Sequence, residues 1–200
     1  MDMWKFYDIT HRNHVICNPT SGEKLGHLVE LLRLPAGVRV IDIACGKGEF
    51  LIRLAEAYGV NCLGIDLSPF FIAEARKRLE VRAPEAEVTF REMDGAEFEP
   101  KEPHSFTVAS CLGASWIYGG HAGTLDALTR MVAPGGWVVT GEPYWRQEPC
   151  EEYLIVRRVG EEKAAYLRWG RDTLGWAIYA FRRLPTEPAA SEPSIREHRE

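Results

Sequence analysis

The stretch Val38-Arg39-Val40-Ile41-Asp42-Ile43-Ala44-Cys45-Gly46-Lys47-Gly48-Glu49-Phe50-Leu51 decides the reading of this chain. Val38 to Ile43 is short and rich in β-branched residues, the pattern of a strand buried on both faces. Ala44 to Gly48 is a bend of mostly small side chains. Phe50, Leu51, Leu54, Ala55 and Tyr58 then recur at helical spacing until Gly59 supplies a left-handed stop. Strand, small-residue loop and helix in this order form one unit of a parallel α/β sheet.

The same alternation continues outward. Val60 to Ile65 is a second apolar strand, and Asp66-Leu67-Ser68-Pro69 starts a helix with Ser68 as N-cap and Pro69 at the first helical position. Ile72, Ala75 and Leu79 form that helix's buried face. Glu87 to Glu92 alternates as a strand before Met93-Asp94-Gly95, and Ser105 to Cys111 is a further strand. Leu125, Leu128 and Val132 mark a helix that Pro134-Gly135-Gly136 stops before the strand Trp137 to Gly141. Upstream, Asn18-Pro19-Thr20-Ser21 with Glu23 predicts a helix start capped by Thr20, the glutamate three residues on closing a reciprocal box. Leu25, Leu28, Val29 and Leu32 are its apolar stripe. Downstream, 151–159 fits helix or strand, 161–171 a helix and Trp176 to Phe181 a final strand. Prolines among charges mark 185–200 as a solvated, flexible tail. The expected fold is a doubly wound, mostly parallel Rossmann-like α/β sheet with helices on both faces. The expected organisation is an N-terminal segment 1–20 near the site's mouth, one domain at 21–184, and the tail.

Composition narrows the function. With 46% apolar and 26% charged residues the chain has globular character. Twenty-nine acids against 24 bases give a net charge of −5, the wrong sign for a protein that gains affinity by neutralising phosphates, so no nucleic-acid partner is expected. Five cysteines, an odd number without a CxxC pair, argue against a disulfide framework or a zinc site, and no metal is expected. The N-terminal MDMWKFYDITHRNH lacks the apolar core of a signal peptide, and nothing approaches the ~20 apolar residues of a membrane span. A soluble, cytoplasmic protein without a membrane partner is the expectation.

Open α/β sheets hold ligands outside the carboxyl ends of their strands. Asp42, the loop 44–48, Asp66, Asp94 and Cys111 to Ser115 all fall at such ends. A Walker loop would need Ser or Thr after the Gly-Lys pair and a glycine five residues before it, where this chain has Gly48 and Ile41. The dinucleotide pattern GxGxxG, laid on Gly46 and Gly48, meets Leu51 at its third glycine, which disfavours a nicotinamide-dependent oxidoreductase. Each acid has two readings. Asp42 either caps the loop's N–H groups or meets a ligand. Asp66 either binds a ligand or complements a helix dipole. Asp94-Gly95 is either part of the site or only a turn.

Val40 to Gly48, Asp66 within Leu63-Gly64-Ile65-Asp66-Leu67-Ser68, Asp94-Gly95, Cys111-Leu112-Gly113 and Pro134-Gly135-Gly136 together resemble the class I S-adenosylmethionine-dependent methyltransferases, over roughly residues 20–145. The resemblance implies that Asp42, Ala44, Cys45, Gly46 and Gly48 form the cofactor loop. It implies further that Asp66 and Leu67 take the ribose, Asp94 and Gly95 the adenine, and Cys111, Leu112 and Gly113 the methionine part. Ala44 stands where the family usually has glycine, which implies a weaker demand for positive φ there. Asn18-Pro19, Gly119 to Leu125 and Gly141 to Trp145 resemble a bacterial subgroup of small-molecule methyltransferase-like proteins.

The activity so implied is direct in-line methyl transfer from S-adenosyl-L-methionine to a small-molecule acceptor, with S-adenosyl-L-homocysteine as product. An alternative is a cofactor-binding protein without catalysis. It is motivated by the ~34 residues between Gly141 and Gly175, where the family has a helix, a sixth strand and often a lid before an antiparallel seventh strand. His121 is a candidate proton acceptor or, more simply, a capping or solvated histidine, and Glu142 is a candidate base or partner of a cationic substrate, or a structural group. Tyr7, His11, Trp116, Tyr144 and Trp145 are candidate acceptor-side residues or a simple hydrophobic rim. Nucleic-acid amine methyltransferases usually carry an acid or Asn followed by Pro-Pro and an aromatic after the fourth strand. Cys111-Leu112-Gly113-Ala114-Ser115-Trp116 does not match, so base methylation is not expected.

Overall fold

The computed structural model of the chain describes residues 3–146 and 174–184. The expectations for 151–159, 161–171 and the tail 185–200 lie outside the described residues. The elements are α1 (Met3–His11), α2 (Gly22–Leu32), β1 (Arg39–Ile43), α3 (Glu49–Tyr58), β2 (Asn61–Asp66), α4 (Pro69–Arg82), β3 (Val88–Glu92), β4 (Phe106–Leu112), α5 (His121–Met131), β5 (Val132–Trp145) and β6 (Leu174–Arg182). Short 3-10 turns at Gly95–Glu97 and Ser115–Tyr118 follow β3 and β4.

The sheet order is β3-β2-β1-β4-β5-β6. The first five strands run parallel, and β6 pairs antiparallel with β5. Strand order reverses direction of growth between β1 and β4, so the crossovers diverge there and leave a crevice at the carboxyl ends. Alternate residues of each strand serve opposite layers. Val40, Cys62, Val108 and Val139 pack beneath α2, α3 and α4. Ile41, Ile43, Ala109, Cys111 and Val138 pack against α5 with Leu128 and Met131. No helix among the described residues is long and apolar enough to cross a membrane.

The structure differs from the local expectations at three points. The cap of α2 is Ser21, whose extended backbone lets its Oγ accept from the Lys24 N–H at 3.1 Å. Thr20 is committed elsewhere, since its hydroxyl accepts from the Trp176 indole N–H at 2.7 Å. Pro134-Gly135-Gly136 does not precede the fifth strand but lies within β5. Val132 already pairs with Phe106, and the register against β4 shifts between Phe106 and Val108. Gly135, at φ +78°, turns the strand at that irregularity. The N-terminal segment, for which the sequence pattern predicted no regular element, forms a helix at residues 3–11 laid on α4.

Candidate cofactor and acceptor site

The bend after β1 begins with Ala44 at φ +57°, followed by Gly46 at +55° and Gly48 at +72°. The weaker demand for positive φ inferred at Ala44 is therefore overturned. The chain must turn sharply out of the sheet there, and an L-residue accepts the left-handed conformation at a cost of roughly 1–2 kcal/mol. The bend is held from the neighbouring strand. Asp66 at the end of β2 accepts from the Gly46 N–H through Oδ2 at 2.8 Å and from the Ser68 N–H through Oδ1 at 2.8 Å. Burial raises the pKa of Asp66, and these two backbone N–H groups oppose the rise. Each oxygen accepts one bond and keeps further acceptor capacity.

Asp42 does not cap the loop. It is almost fully buried, and its Oδ1 accepts from the Ser110 hydroxyl of β4 at 2.7 Å. Burial pushes its carboxyl up to about 7 despite that hydrogen bond, with the charge of Asp66 adding to the rise. Asp94 caps the turn after β3, Oδ1 accepting from the Ala96 N–H at 2.9 Å. Gly95 follows because a Cβ there would lie 2.5 Å from Ile43.

These groups surround one cavity of about 560 Å³ at the carboxyl ends of β1, β2 and β4, beside the turn after β3, well within the ~300–1,000 Å³ of ligand sites. Its lining includes Asp42, Ala44, Cys45, Gly46, Asp66, Leu67, Asp94, Gly95, Leu112 and Gly113. Helix α1 adds Tyr7 and His11 to the lining, and the turn after β4 adds Trp116.

The chain matches the methyltransferase domain family over residues 40–136. It is 30% identical to a ubiquinone biosynthesis O-methyltransferase of Methylococcus capsulatus over 177 residues, which cover 78% of this chain and 73% of that protein. The chain belongs to the class I S-adenosylmethionine-dependent methyltransferase family. It is also 39% identical over 154 residues to the uncharacterized protein YjhP of Escherichia coli, with 77% of this chain and 61% of that one covered. A solved S-adenosylmethionine-dependent methyltransferase from Geobacter sulfurreducens, in complex with S-adenosylhomocysteine, superposes with a TM-score of 0.78 at 30% identity. That match covers 90% of this chain and 98% of the other. The chain spans about half to three-fifths of the length of the first curated relatives it matches.

Several residues singled out from the family pattern stand away from the cavity lining. Gly48 caps the start of α3, and its missing Cβ makes room for Phe90, whose ring would lie 2.5 Å from it. Cys111 is wholly buried on the α5 side, while its successors Leu112 and Gly113 face the cavity. His121 packs edge-on to Tyr179 with ring centroids 5.6 Å apart. Glu142 pairs in register with Ala177, and Tyr144 with Gly175, both on the β5–β6 hairpin. The backbone of Trp145 pairs in register with that of Leu174 at the end of β5, and its side chain lies outside the described part of the structure.

Sequence reasoning missed other lining residues. Asn18 donates to the Leu112 carbonyl at 2.9 Å and accepts from the Thr20 N–H at 3.0 Å, fastening the approach to α2 onto the end of β4. Its Asn-Pro context was the available signal. A Cβ at Gly46 would lie 3.5 Å from Cys17 Sγ, and burial raises the pKa of that thiol, with Lys47 opposing the rise. Lys47 points its buried ammonium at the end of α1. Glu49, also lining the cavity, accepts from Arg53 at 2.6 Å, Arg82 at 2.6 Å and Arg78. Contacts between helices decide these positions, and no local pattern marks them.

Proposed function

We propose that this protein binds S-adenosyl-L-methionine in the cavity at the ends of β1, β2 and β4 and transfers its methyl group to a small-molecule acceptor. The carrying observation is the convergence of Asp42, the bend at 44–46, Asp66, Asp94 and Leu112-Gly113 on one cavity of about 560 Å³. The residues fit the cofactor. Gly46 brings backbone to the cavity with no side chain in the way, and Asp66 retains acceptor capacity for a pair of hydroxyls. Asp42 is a buried carboxyl poised to ionise, suited to stand beside a bound cation.

The chemistry supplied on binding is an already activated methyl group. An acceptor lone pair bonds to the carbon as the S–C bond breaks, the electrons return to sulfur, and the acceptor's proton leaves to water. The chain's own contribution is placement, which supplies up to ~7–11 kcal/mol of a barrier when the reacting atoms are held in line. Asp66 and Asp94 hold the nucleoside end, and Leu112 and Gly113 border the other. Helix α1 and Trp116 supply aromatic side chains to the rest of the lining. The reading gives His121 and Glu142 no part in proton transfer, since neither lines the cavity.

The reading of a small-molecule acceptor is supported by the net charge of −5. Among the described residues Cys17, Cys45, Cys62 and Cys111 are free thiols. Thermal-shift and calorimetric titration with S-adenosylhomocysteine test the reading. Saturable 1:1 binding is expected, followed by turnover of labelled methyl against a metabolite library. Binding with no acceptor across such a library would favour the non-catalytic alternative, and a response to NADH alone would overturn the cofactor assignment.

A further inference from the structure

The end of β4 is held by residues that lie far from it in the chain. Asn18 donates its side-chain amide to the Leu112 carbonyl at 2.9 Å and accepts from the Thr20 N–H at 3.0 Å. The Thr20 hydroxyl accepts from the Trp176 indole N–H at 2.7 Å, and the Trp176 carbonyl accepts from the Lys24 ammonium at 2.9 Å. Three separate segments, 18–24, 112–113 and 176, are therefore joined through one buried threonine.

Gly113 sits at the centre of this junction with φ +90°, where a Cβ would stand 3.3 Å from the Asn18 Cβ and 2.8 Å from the Trp176 ring. Glycine enters this conformation freely and leaves it as freely, so its neighbours decide where the main chain rests. Asn18, Thr20, Leu112 and Gly113 all line the cavity. Trp176 packs behind Gly113 and reaches the lining through Thr20. The bonds thus converge on the stretch of main chain that borders the amino-acid end of the cofactor, and a border ordered before the ligand arrives removes part of the cost of binding.

We infer that Asn18, Thr20 and Trp176 form one positioning unit, which sets the main chain of Leu112-Gly113 for the amino-acid end of the cofactor and so governs how firmly that end is held. The inference rests on the cofactor reading above. None of the three residues is given a part in the methyl transfer itself.

The test compares two ligands on the full chain by calorimetry, S-adenosylhomocysteine and 5′-methylthioadenosine, which share a nucleoside and a thioether and differ in the amino-acid end. The quantity read is the ratio of their affinities. Asn18→Asp keeps the acceptor for Thr20 and loses the donor to Leu112, and it should lower the ratio about fivefold, the scale of one hydrogen bond. Thr20→Val removes the hydroxyl at nearly constant shape, and Trp176→Phe keeps a ring while removing the indole N–H. Each should lower the ratio about threefold. Because the three act as a unit, Asn18→Asp combined with Trp176→Phe should lower it no further than Asn18→Asp alone. An unchanged ratio in folded variants, whether both affinities fall together or neither moves, would mark a purely structural staple and overturn the inference. So would multiplied losses in the double variant, or equal affinities of the parent for the two ligands. If S-adenosylhomocysteine does not bind the parent at all, the cofactor reading falls and this inference with it.

Discussion

The Lys47 ammonium donates to the main-chain carbonyl of His11 at 2.7 Å, so a side chain from the cofactor bend holds the last turn of a helix that lines the cavity. A cation at a helix C-terminus satisfies orphan carbonyls and complements the dipole. The arrangement matters because α1 buries none of its residues fully. Lys47→Met is expected to lower stability by about 1–3 kcal/mol, the scale of hydrogen bonds to a charged group. It should also speed proteolytic cleavage within residues 10–20 several-fold. Limited proteolysis with mass spectrometry reads this directly, and an unchanged cleavage rate would contradict the anchoring role.

Asp66 joins the cofactor reading to the fold. Because its two oxygens accept from Gly46 and Ser68, Asp66→Ala leaves two N–H groups without their partner. Weaker S-adenosylhomocysteine binding by about 1–3 kcal/mol should thus be accompanied by a loss of stability of similar size. Calorimetry and denaturant unfolding on the same variant separate the two effects. Unaltered affinity in a folded variant would sink the ribose assignment.

The buried Asp42 makes stability depend on pH. Its carboxyl titrates at about 7 in the fold against 3.8 ordinarily. Between those values the folded protein keeps a proton that the unfolded chain has released, so stability is greatest at the acid end and declines as pH rises to about 7. The slope approaches ~1.4 kcal/mol per pH unit. Asp66, raised in the same direction, contributes with the same sign. Asp42→Asn should flatten the profile and leave the variant more stable than the parent at pH 8. Urea unfolding at pH 5, 6.5 and 8 provides the check, and parallel profiles would refute it.

Gly48→Ala should be among the most damaging single changes in the chain. A methyl group there would meet the Phe90 ring at 2.5 Å in a backbone conformation with φ +72°. Strain and overpacking together come to about 2–5 kcal/mol. Phe90→Leu, though destabilising by itself, should recover part of that loss in the double variant. Additivity of the two changes in thermal unfolding would show that the ring does not explain the glycine.

What could be read from the residues was local in character. The β-branched run at 38–43, the Ser68-Pro69 helix start and the left-handed Gly59 each carry their own conformational cause, and β1, α4 and the end of α3 lie within a residue of where these signals placed them. The acids at 42, 66 and 94 were found because a parallel sheet places strand ends together. Thr20 was misread because its hydroxyl has a partner 156 residues away. Ala44 was misread because the sharpness of a bend is set by the sheet it leaves, not by the side chain it carries. Lys47 had no local signature, as its role exists only once α1 is laid across the bend.

Trp176 shows how late this site is completed. Its indole is tied to Thr20 and lies against both Gly113 and Gly141, positions where an added methyl would meet the ring at 2.8 and 2.9 Å. During synthesis the bend and the three acids leave the ribosome long before this ring does. The wall beside Leu112-Gly113 therefore lacks this ring on the nascent chain until β6 emerges.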